Sequence, residues 1–195
     1  DKVSPISQRL SWGKHVEQIH QGGFPVLVRK IRKFFIKIVT IYLPGLIVGL
    51  PVVLVVRLLS PWVIIRFSPL GSNRLGHFII ETELYFFARV YGLENSKAVD
   101  FFYHIEPISN DQIKKMWERK LRVNKLARYA DWMNRRIPGG EKHSIKRRTR
   151  DIEGFTAIMP GHLDFTPEEE SRGQKVLQEM GISPDTGYVC FHSRD

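Results

Sequence analysis

Trp62-Val-Ile-Ile-Arg-Phe67 is an apolar, strand-like run, and Ser-Pro-Leu-Gly-Ser-Asn-Arg-Leu-Gly-His77 follows it before a largely apolar, helix-like run that reaches Tyr91. A buried strand, a loop with two glycines and an amphipathic helix make the first half of a βαβ unit. In such units, ligands bind outside the carboxyl ends of the strands. The residues expected at that site are Arg74, His77, Glu81 and Glu83.

A second strand completes the unit. Residues 98–105, Ala-Val-Asp-Phe-Phe-Tyr-His-Ile, are β-branched and aromatic and end before Pro107. Gly71 and Gly76 are separated by four residues and no P-loop lysine follows them. They therefore do not form a dinucleotide or P-loop fingerprint. The pattern predicts an α/β fold whose ligand-binding loop is neither a nicotinamide-dinucleotide loop nor an ATP-binding P-loop.

The composition is that of a globular chain, and the positive charge is concentrated in one segment. The 195 residues are 43% apolar and 26% charged, which is ordinary for a globular chain with a sizeable core. The net charge of +10 is concentrated between Lys114 and Arg150, where 14 Lys and Arg face three acidic residues, a local balance of +11. A single cysteine, Cys190, excludes an internal disulfide and a cysteine zinc cluster.

The basic segment from Lys114 to Arg150 has two interpretations. It is a solvated charged surface, or it is attracted to anionic lipid headgroups, to which each nearby basic residue adds about 1 kcal/mol. Nucleic-acid binding is disfavoured because the basic run has no interleaved aromatic residues and no recognisable nucleic-acid module surrounds it.

Residues 38–56 are 19 consecutive residues without a charge, about the length needed to cross a hydrocarbon core. Basic residues flank the run on both sides, namely Arg29, Lys30, Arg32, Lys33 and Lys37 before it and Arg57 and Arg66 after it. By the positive-inside rule, the excess on the amino side places the amino terminus in the cytoplasm, and a simple span would then put the remainder of the chain outside. Pro44 and Pro51 each remove a backbone donor, so a re-entrant hairpin is an alternative to a simple span. A pair of buried strands in a soluble core is the third possibility.

Two further helices are predicted. Ser109 and Gln112 form a capping box that starts a helix continuing to Ile137, where Pro138-Gly139-Gly140 stops it. The polar and basic residues 141–151 are predicted to be a solvated loop.

The clearest helix start in the sequence is a Thr cap at Thr166, followed by Pro167 and completed by Glu169. Gly181 is expected to end that helix. A last apolar strand is predicted at residues 188–192, directly before the polar terminus of the chain.

Three groups of residues carry a resemblance to a known family: Leu75-Gly76-His77 with Glu81 and Glu83, the helix start Phe165-Thr-Pro-Glu-Glu-Glu170, and Tyr188-Val-Cys-Phe-His-Ser-Arg-Asp195. Together they resemble a bacterial glycosyltransferase family linked to surface polysaccharides, over roughly residues 62–195. The terminal motif is also similar to the His-x-Arg element of the O-fucosyltransferase-like group. This resemblance implies a GT-B architecture, with the donor held between two Rossmann-like domains.

The resemblance also implies a donor site. In that group the arginine contacts the donor diphosphate, and the matching residue is Arg194. A guanidinium offers a planar fork for phosphate oxygens, and His192 offers a second donor. Asp195 and Arg74 complete the predicted diphosphate-binding set.

Glycosyl transfer also needs a base that deprotonates the acceptor hydroxyl. The candidates are Glu81, Glu83 and His77. If the helix has already begun at Arg74, then Arg74, His77 and Glu81 share one helical face. We predict no metal site and no cofactor other than the nucleotide-sugar donor.

The sequence thus predicts four segments: a polar and basic arm at 1–33, a transmembrane or re-entrant segment at 34–57, a Rossmann-like acceptor-side domain at 58–187, and the first strand of a donor domain at 188–195. The predicted function is transfer of a sugar from a nucleotide sugar to a surface-polysaccharide or lipid-linked glycan acceptor. The predicted place is the cytoplasmic face of the bacterial inner membrane, in contact with membrane lipids and not with nucleic acid.

Because a GT-B enzyme needs two domains, we expect this chain to be an amino-terminal portion of a longer protein and to be inactive alone. The alternative is a non-catalytic, membrane-anchored binding or scaffold protein that uses its basic segment on anionic lipid or glycan.

Overall fold

The computed structural model describes residues 25–95, 97–158, 160–183, 187 and 189. They form a mixed α/β structure with one long apolar helix and a two-stranded parallel sheet. The elements are α1 (Pro25–Leu59), β1 (Ile65–Leu70), α2 (Leu75–Val90), β2 (Val99–His104), α3 (Asp111–Lys120), α4 (Ala127–Asn134), a 3-10 turn (Gly140–His143), α5 (Phe155–Ile158) and α6 (Pro167–Glu179).

The chain divides into two compact units. Of the described residues, the first unit contains 25–68, 97–103 and 124–146. The second unit contains 69–95, 104–123 and the described residues from 147 onward. The domain boundaries predicted from the sequence stay predictions.

Helix α1 runs through both prolines without a reversal and is long and apolar enough to cross a membrane. A stretch of π-helix lies just before each proline, Ile38–Tyr42 before Pro44 and Gly45–Gly49 before Pro51. In α-helical geometry a proline ring would clash with the carbonyl four residues earlier, and the wider π turn relieves that clash. The alternatives of two buried strands and of a hairpin are therefore wrong for these residues. The helix also includes residues 25–33, which the sequence placed in the arm.

The first unit is built where α1 meets α4. A Cβ on Gly45 would lie 2.5 Å from Trp132 Cε3, and one on Gly49 would lie 2.4 Å from the Tyr129 carbonyl oxygen. Small residues at four-residue spacing allow helices to approach this closely. The two glycines therefore define the face of α1 on which α4 packs.

Val53 and Val56 continue this face of α1 into a core. The other buried members of that core are Phe67, Ala127, Ala130 and Met133. Leu54 and Leu58, on the opposite side of α1, stay exposed. The carboxyl-terminal half of α1 is thus packed on protein along one side only.

Strands β1 and β2 are neighbours joined through α2, which confirms the predicted strand, helix and strand order. Strand β1 begins at Ile65, later than predicted, and Trp62 is 79% exposed. Ser144 adds a parallel bridge to Phe67. Two strands among the described residues give a βαβ unit, and the Rossmann-like GT-B fold stays a prediction.

A buried ion pair fastens the two strands together in the first unit. Arg66 Nε lies 2.8 Å from Asp100 Oδ1, and Arg66 Nη2 lies 2.9 Å from Asp100 Oδ2. Arg57 is also bound internally, since its guanidinium donates to Asn134 Oδ1 and to the Pro138 carbonyl, each at 2.9 Å. Both arginines follow the charge-free run in sequence, and both are paired within the first unit.

The helix predicted from Ser109 to Ile137 is two helices, α3 and α4. Its cap is Asn110, whose Oδ1 accepts from the Ile113 N–H at 2.9 Å. Between the helices, the Asn124 N–H donates to the Phe102 carbonyl at 2.8 Å, and Asn124 Oδ1 accepts from the Leu126 N–H. Pairing with β2 interrupts the helical hydrogen bonding, a tertiary effect that sequence periodicity does not contain.

The segment predicted as a solvated loop at 141–151 is partly core. His143 and Ile145 are buried, and His143 Nδ1 lies 2.7 Å from the Ile65 carbonyl oxygen, to which it donates. Burial lowers the pKa of His143, and the charges of Arg57 and Lys142 lower it further. The loop prediction was wrong because residue type alone does not show that His143 bonds to Ile65 or that Ser144 bridges to Phe67.

In the second unit, Trp117 is fully buried and its indole Nε1–H donates to the Phe78 carbonyl at 3.1 Å, which joins α3 to α2. The capping box at the start of α6 is confirmed, with Thr166 and Glu169 bonding in both directions. Arg119 binds both oxygens of Glu169. Of the strand predicted at 188–192, the structure describes Val189 alone, which is exposed; the rest lies outside the described residues.

Candidate functional site

In the second unit, the segments that follow the two strands are tied together by a buried serine. Ser72 Oγ donates to the Ile105 carbonyl at 2.7 Å and accepts from the Ile105 N–H at 2.8 Å. The Ser72 carbonyl in turn accepts from the Ser109 N–H at 2.8 Å. This network fixes the loop between β1 and α2, where the sequence predicts the site.

His77 and Glu81 lie one helical turn apart on α2, and His77 Nδ1 is 2.7 Å from Glu81 Oε1. The Glu81 side chain is 7% exposed, whereas the His77 side chain is 44% exposed. Because a carboxylate only accepts hydrogen bonds, Nδ1 is the donor and Nε2 is the basic nitrogen. The pair thus presents an oriented imidazole on an accessible surface.

Arg147 is the third member of this cluster. Its Nε donates to Glu81 Oε2 at 2.9 Å, and its Nη2 contacts the same oxygen. Each carboxylate oxygen of Glu81 therefore has a partner, His77 on one side and Arg147 on the other. We refer to His77, Glu81 and Arg147 as the His77 cluster.

Gly71 provides the space that the His77 cluster occupies. A Cβ at this position would lie 3.0 Å from His77 Cβ, 3.2 Å from Glu81 Oε2 and 3.4 Å from Arg147 Nη2. Contacts near 3.0 Å are closer than ordinary van der Waals separation. A glycine directly after β1 therefore lets the cluster approach the end of that strand.

Glu83 lies on the same helix as His77 and Glu81, and its contacts among the described residues are with His162. It accepts the His162 N–H at 2.8 Å on Oε1, and His162 Nδ1 lies 2.7 Å from Oε2. The His162 ring stacks on Phe86 with centroids 4.7 Å apart. In this arrangement Glu83 anchors the segment around residue 162 to α2, a positional role.

Arg74 precedes α2 in an extended conformation, with φ of −139° and ψ of 122°. The predicted helical face shared by Arg74, His77 and Glu81 is therefore wrong for Arg74, while His77 and Glu81 do share one. The Arg74 side chain is exposed and has no hydrogen-bond or ionic partner among the described residues. His192, Arg194 and Asp195, the other predicted diphosphate ligands, lie outside the described residues.

Arg147 and His162 were not identified from the sequence. Arg147 lies within Lys146-Arg147-Arg148, where a run of like charges gives no sign that one member is paired inside the protein. His162 lies far from Glu83 in the sequence, and no periodicity connects them. Over the described part of the chain, no three His, Cys, Asp or Glu side chains are grouped as metal ligands.

No protein-family model, curated protein or solved structure matches this chain. The chemistry of the His77 cluster is therefore argued from its own geometry.

Proposed function

We propose that this chain carries the acceptor side of a membrane-associated glycosyltransferase, with His77 as the general base. The observation that carries the proposal is the 2.7 Å contact between His77 Nδ1 and the buried Glu81 carboxylate, on a His77 side chain that is 44% exposed. An imidazole oriented by a carboxylate is the usual arrangement of a general base that activates a hydroxyl group. The resemblance to surface-polysaccharide glycosyltransferases selects sugar transfer among the reactions that need such a base.

In the proposed reaction, Nε2 removes the proton of the acceptor hydroxyl as its oxygen attacks the anomeric carbon of the donor. The bond from that carbon to the diphosphate oxygen breaks, and the leaving diphosphate keeps the electron pair. Glu81 stabilises the imidazolium that forms, and Arg147 holds the carboxylate in place. Glu81 thus acts as a positioning residue, and His77 is the catalytic residue.

The donor side of the proposal rests on charge. Arg74 is an exposed cation at the amino terminus of α2, next to the His77 cluster in sequence. A helix amino terminus and an unpaired guanidinium both favour a negatively charged group. His192, Arg194 and Asp195 are proposed diphosphate ligands by resemblance, together with the two-domain GT-B architecture.

Helix α1 supports the membrane location, because its length and composition suit a membrane span. We propose the cytoplasmic face for the site, since nucleotide sugars are made in the cytoplasm. If α1 crosses the membrane once, this placement requires the amino terminus to lie on the opposite face, against the positive-inside expectation.

The test is release of nucleoside diphosphate from a panel of nucleotide sugars, measured in the native membrane with the proposed donor domain present. His77→Gln should lower kcat by about 100-fold or more, the usual contribution of a general base. Glu81→Gln should lower kcat while leaving KM for the donor nearly unchanged, because it acts through His77.

Glu83→Gln is the matched control. It should lower the melting temperature through loss of the contacts to His162 and leave kcat of the folded enzyme near wild type. Full activity in His77→Gln would contradict the assigned base. Anionic lipid binding without diphosphate release from any donor would favour the scaffold alternative.

A further inference from the structure

The first unit contains an apolar groove of about 470 Å³ between α1, the sheet and the start of α4. Its walls include Val52, Val55 and Val56 from α1, Phe67 and Phe101 from the strands, and Leu126. Pockets of roughly 300–1,000 Å³ are of a size that holds small molecules. The groove is therefore large enough to bind part of a ligand.

The groove remains open to the surroundings of the protein. Val55 is 54% exposed and Leu126 is 53% exposed, although both line it. A contiguous exposed apolar surface of this kind marks an interaction site. The helix that forms one wall is long and apolar enough to cross a membrane, so a hydrocarbon environment for this wall is part of the proposal below.

The lining favours a hydrocarbon chain over a peptide. Asn124 is the one polar side chain among the lining residues. A bound peptide needs partners for its backbone N–H and C=O groups, whereas an acyl chain needs none. Apolar walls with a single amide therefore suit a lipid tail.

Basic residues next to the lining residues in sequence indicate the kind of lipid. Lys125 and Arg128 are exposed and alternate in sequence with the lining residues Asn124, Leu126 and Ala127. Arginine and lysine side chains bind phosphate oxygens. Two exposed cations thus lie within one or two positions of residues that line the groove, near enough in sequence to bind the phosphate of a lipid whose chain enters it.

We propose that this groove binds one acyl chain of an anionic membrane phospholipid, with the headgroup phosphate at Lys125 and Arg128. All groove residues belong to the first unit, so the proposal stands whether or not the His77 cluster transfers sugars. Binding of this kind fixes α4 and the sheet against the bilayer at a defined depth.

The experiment uses the 195-residue chain in nanodiscs that contain phosphatidylglycerol with a photoreactive group on one acyl chain. Crosslinked peptides should map to residues 51–56 and 124–130. Val55→Trp should reduce this labelling about fivefold or more, because the indole fills the groove. Val52→Trp is the second groove variant, and the melting temperature of each variant reports whether it folds.

Leu54→Trp is the matched control, since Leu54 is next to Val55, is similarly exposed at 57%, and does not line the groove. It should be labelled like wild type. The double variant Lys125→Gln, Arg128→Gln should lose the preference for phosphatidylglycerol over phosphatidylcholine.

Equal labelling of the folded Val55→Trp, Val52→Trp and Leu54→Trp variants would overturn the proposal, because it would mean general contact with bilayer hydrocarbon. A change of oligomeric state in Val55→Trp with unchanged labelling would assign the groove to a second copy of the chain. Displacement of the probe by a polyprenyl phosphate at lower concentration than by phosphatidylglycerol would assign it to an isoprenoid lipid instead.

Discussion

Gly49 of α1 and Tyr129 of α4 meet backbone to backbone, and a Cβ on Gly49 would lie 2.4 Å from the Tyr129 carbonyl oxygen. The neighbouring atom is a backbone carbonyl inside a helix, so it cannot move aside as a flexible side chain would. The helix suited to a membrane is therefore also a structural part of the first unit.

We expect Gly49→Ala to destabilise the first unit. Alanine gains about 0.5–1 kcal/mol over glycine in a helix, but overpacking a close contact costs about 1–3 kcal/mol, so the loss dominates. Thermal unfolding in detergent should show a lower melting temperature. Gly173→Ala in α6 is the control, because a Cβ there has no neighbour within 4 Å, and its melting temperature should rise slightly. Equal responses of the two variants would contradict close packing of α1 on α4.

The buried pair of Arg66 and Asp100 should contribute more to the free energy of unfolding than an exposed ion pair does. Asp100→Ala leaves the Arg66 guanidinium buried without its carboxylate, which costs about 3–5 kcal/mol. The pair Lys120 and Asp164 has 31% and 68% exposed side chains, so Lys120→Gln should cost less than about 1 kcal/mol. The urea midpoint should therefore be lower for Asp100→Ala than for Lys120→Gln. A midpoint for Asp100→Ala within error of that for Lys120→Gln would show that the strands do not depend on this pair.

Glu169 predicts an acid-sensitive helix start. Its hydrogen bonds with Arg119 and with the Thr166 N–H lower its pKa from 4.5 to about 2. A lowered folded-state pKa contributes stability above pH 4.5, and that contribution is lost as the pH falls from 4.5 towards 2. The urea midpoint of wild type should exceed that of Glu169→Gln at pH 6, and the gap should shrink below pH 4. The comparison isolates Glu169, because all other carboxylates titrate in both proteins. A gap that stays constant with pH would contradict the lowered pKa.

Local sequence signals predicted those parts of the fold that are set locally. The capping box at Thr166 and Glu169 and the strand, helix and strand order around α2 depend on neighbouring residues and on hydrophobic periodicity. His77 and Glu81 could also be placed together, because one helical turn brings residues four apart to the same side.

The remaining features depend on contacts between distant residues. Arg147 is 66 positions from Glu81, and His162 is 79 positions from Glu83. The break between α3 and α4 likewise results from Asn124 pairing with Phe102 across the sheet. Periodicity and composition carry no information about these partners, so a charged run and a polar loop were interpreted as solvated surface when parts of each are internal.

The close contact at Gly71 predicts that one methyl group will displace the His77 cluster. In Gly71→Ala the new Cβ would lie 3.0 Å from His77 Cβ and 3.2 Å from Glu81 Oε2, so the histidine must move by a few tenths of an ångström or more. A hydrogen bond of 2.7 Å between His77 Nδ1 and Glu81 does not survive such a shift unchanged. We expect the imidazole ¹⁵N chemical shifts of His77 to move toward those of an exposed histidine with mixed tautomers, and nucleoside diphosphate release to fall about tenfold or more.

Gly76→Ala is the matched control, because it lies beside His77 in α2 and a Cβ there has no neighbour within 4 Å. That variant should keep the wild-type ¹⁵N shifts. If Gly71→Ala also kept them, the orientation of His77 would not depend on the packing at the end of β1.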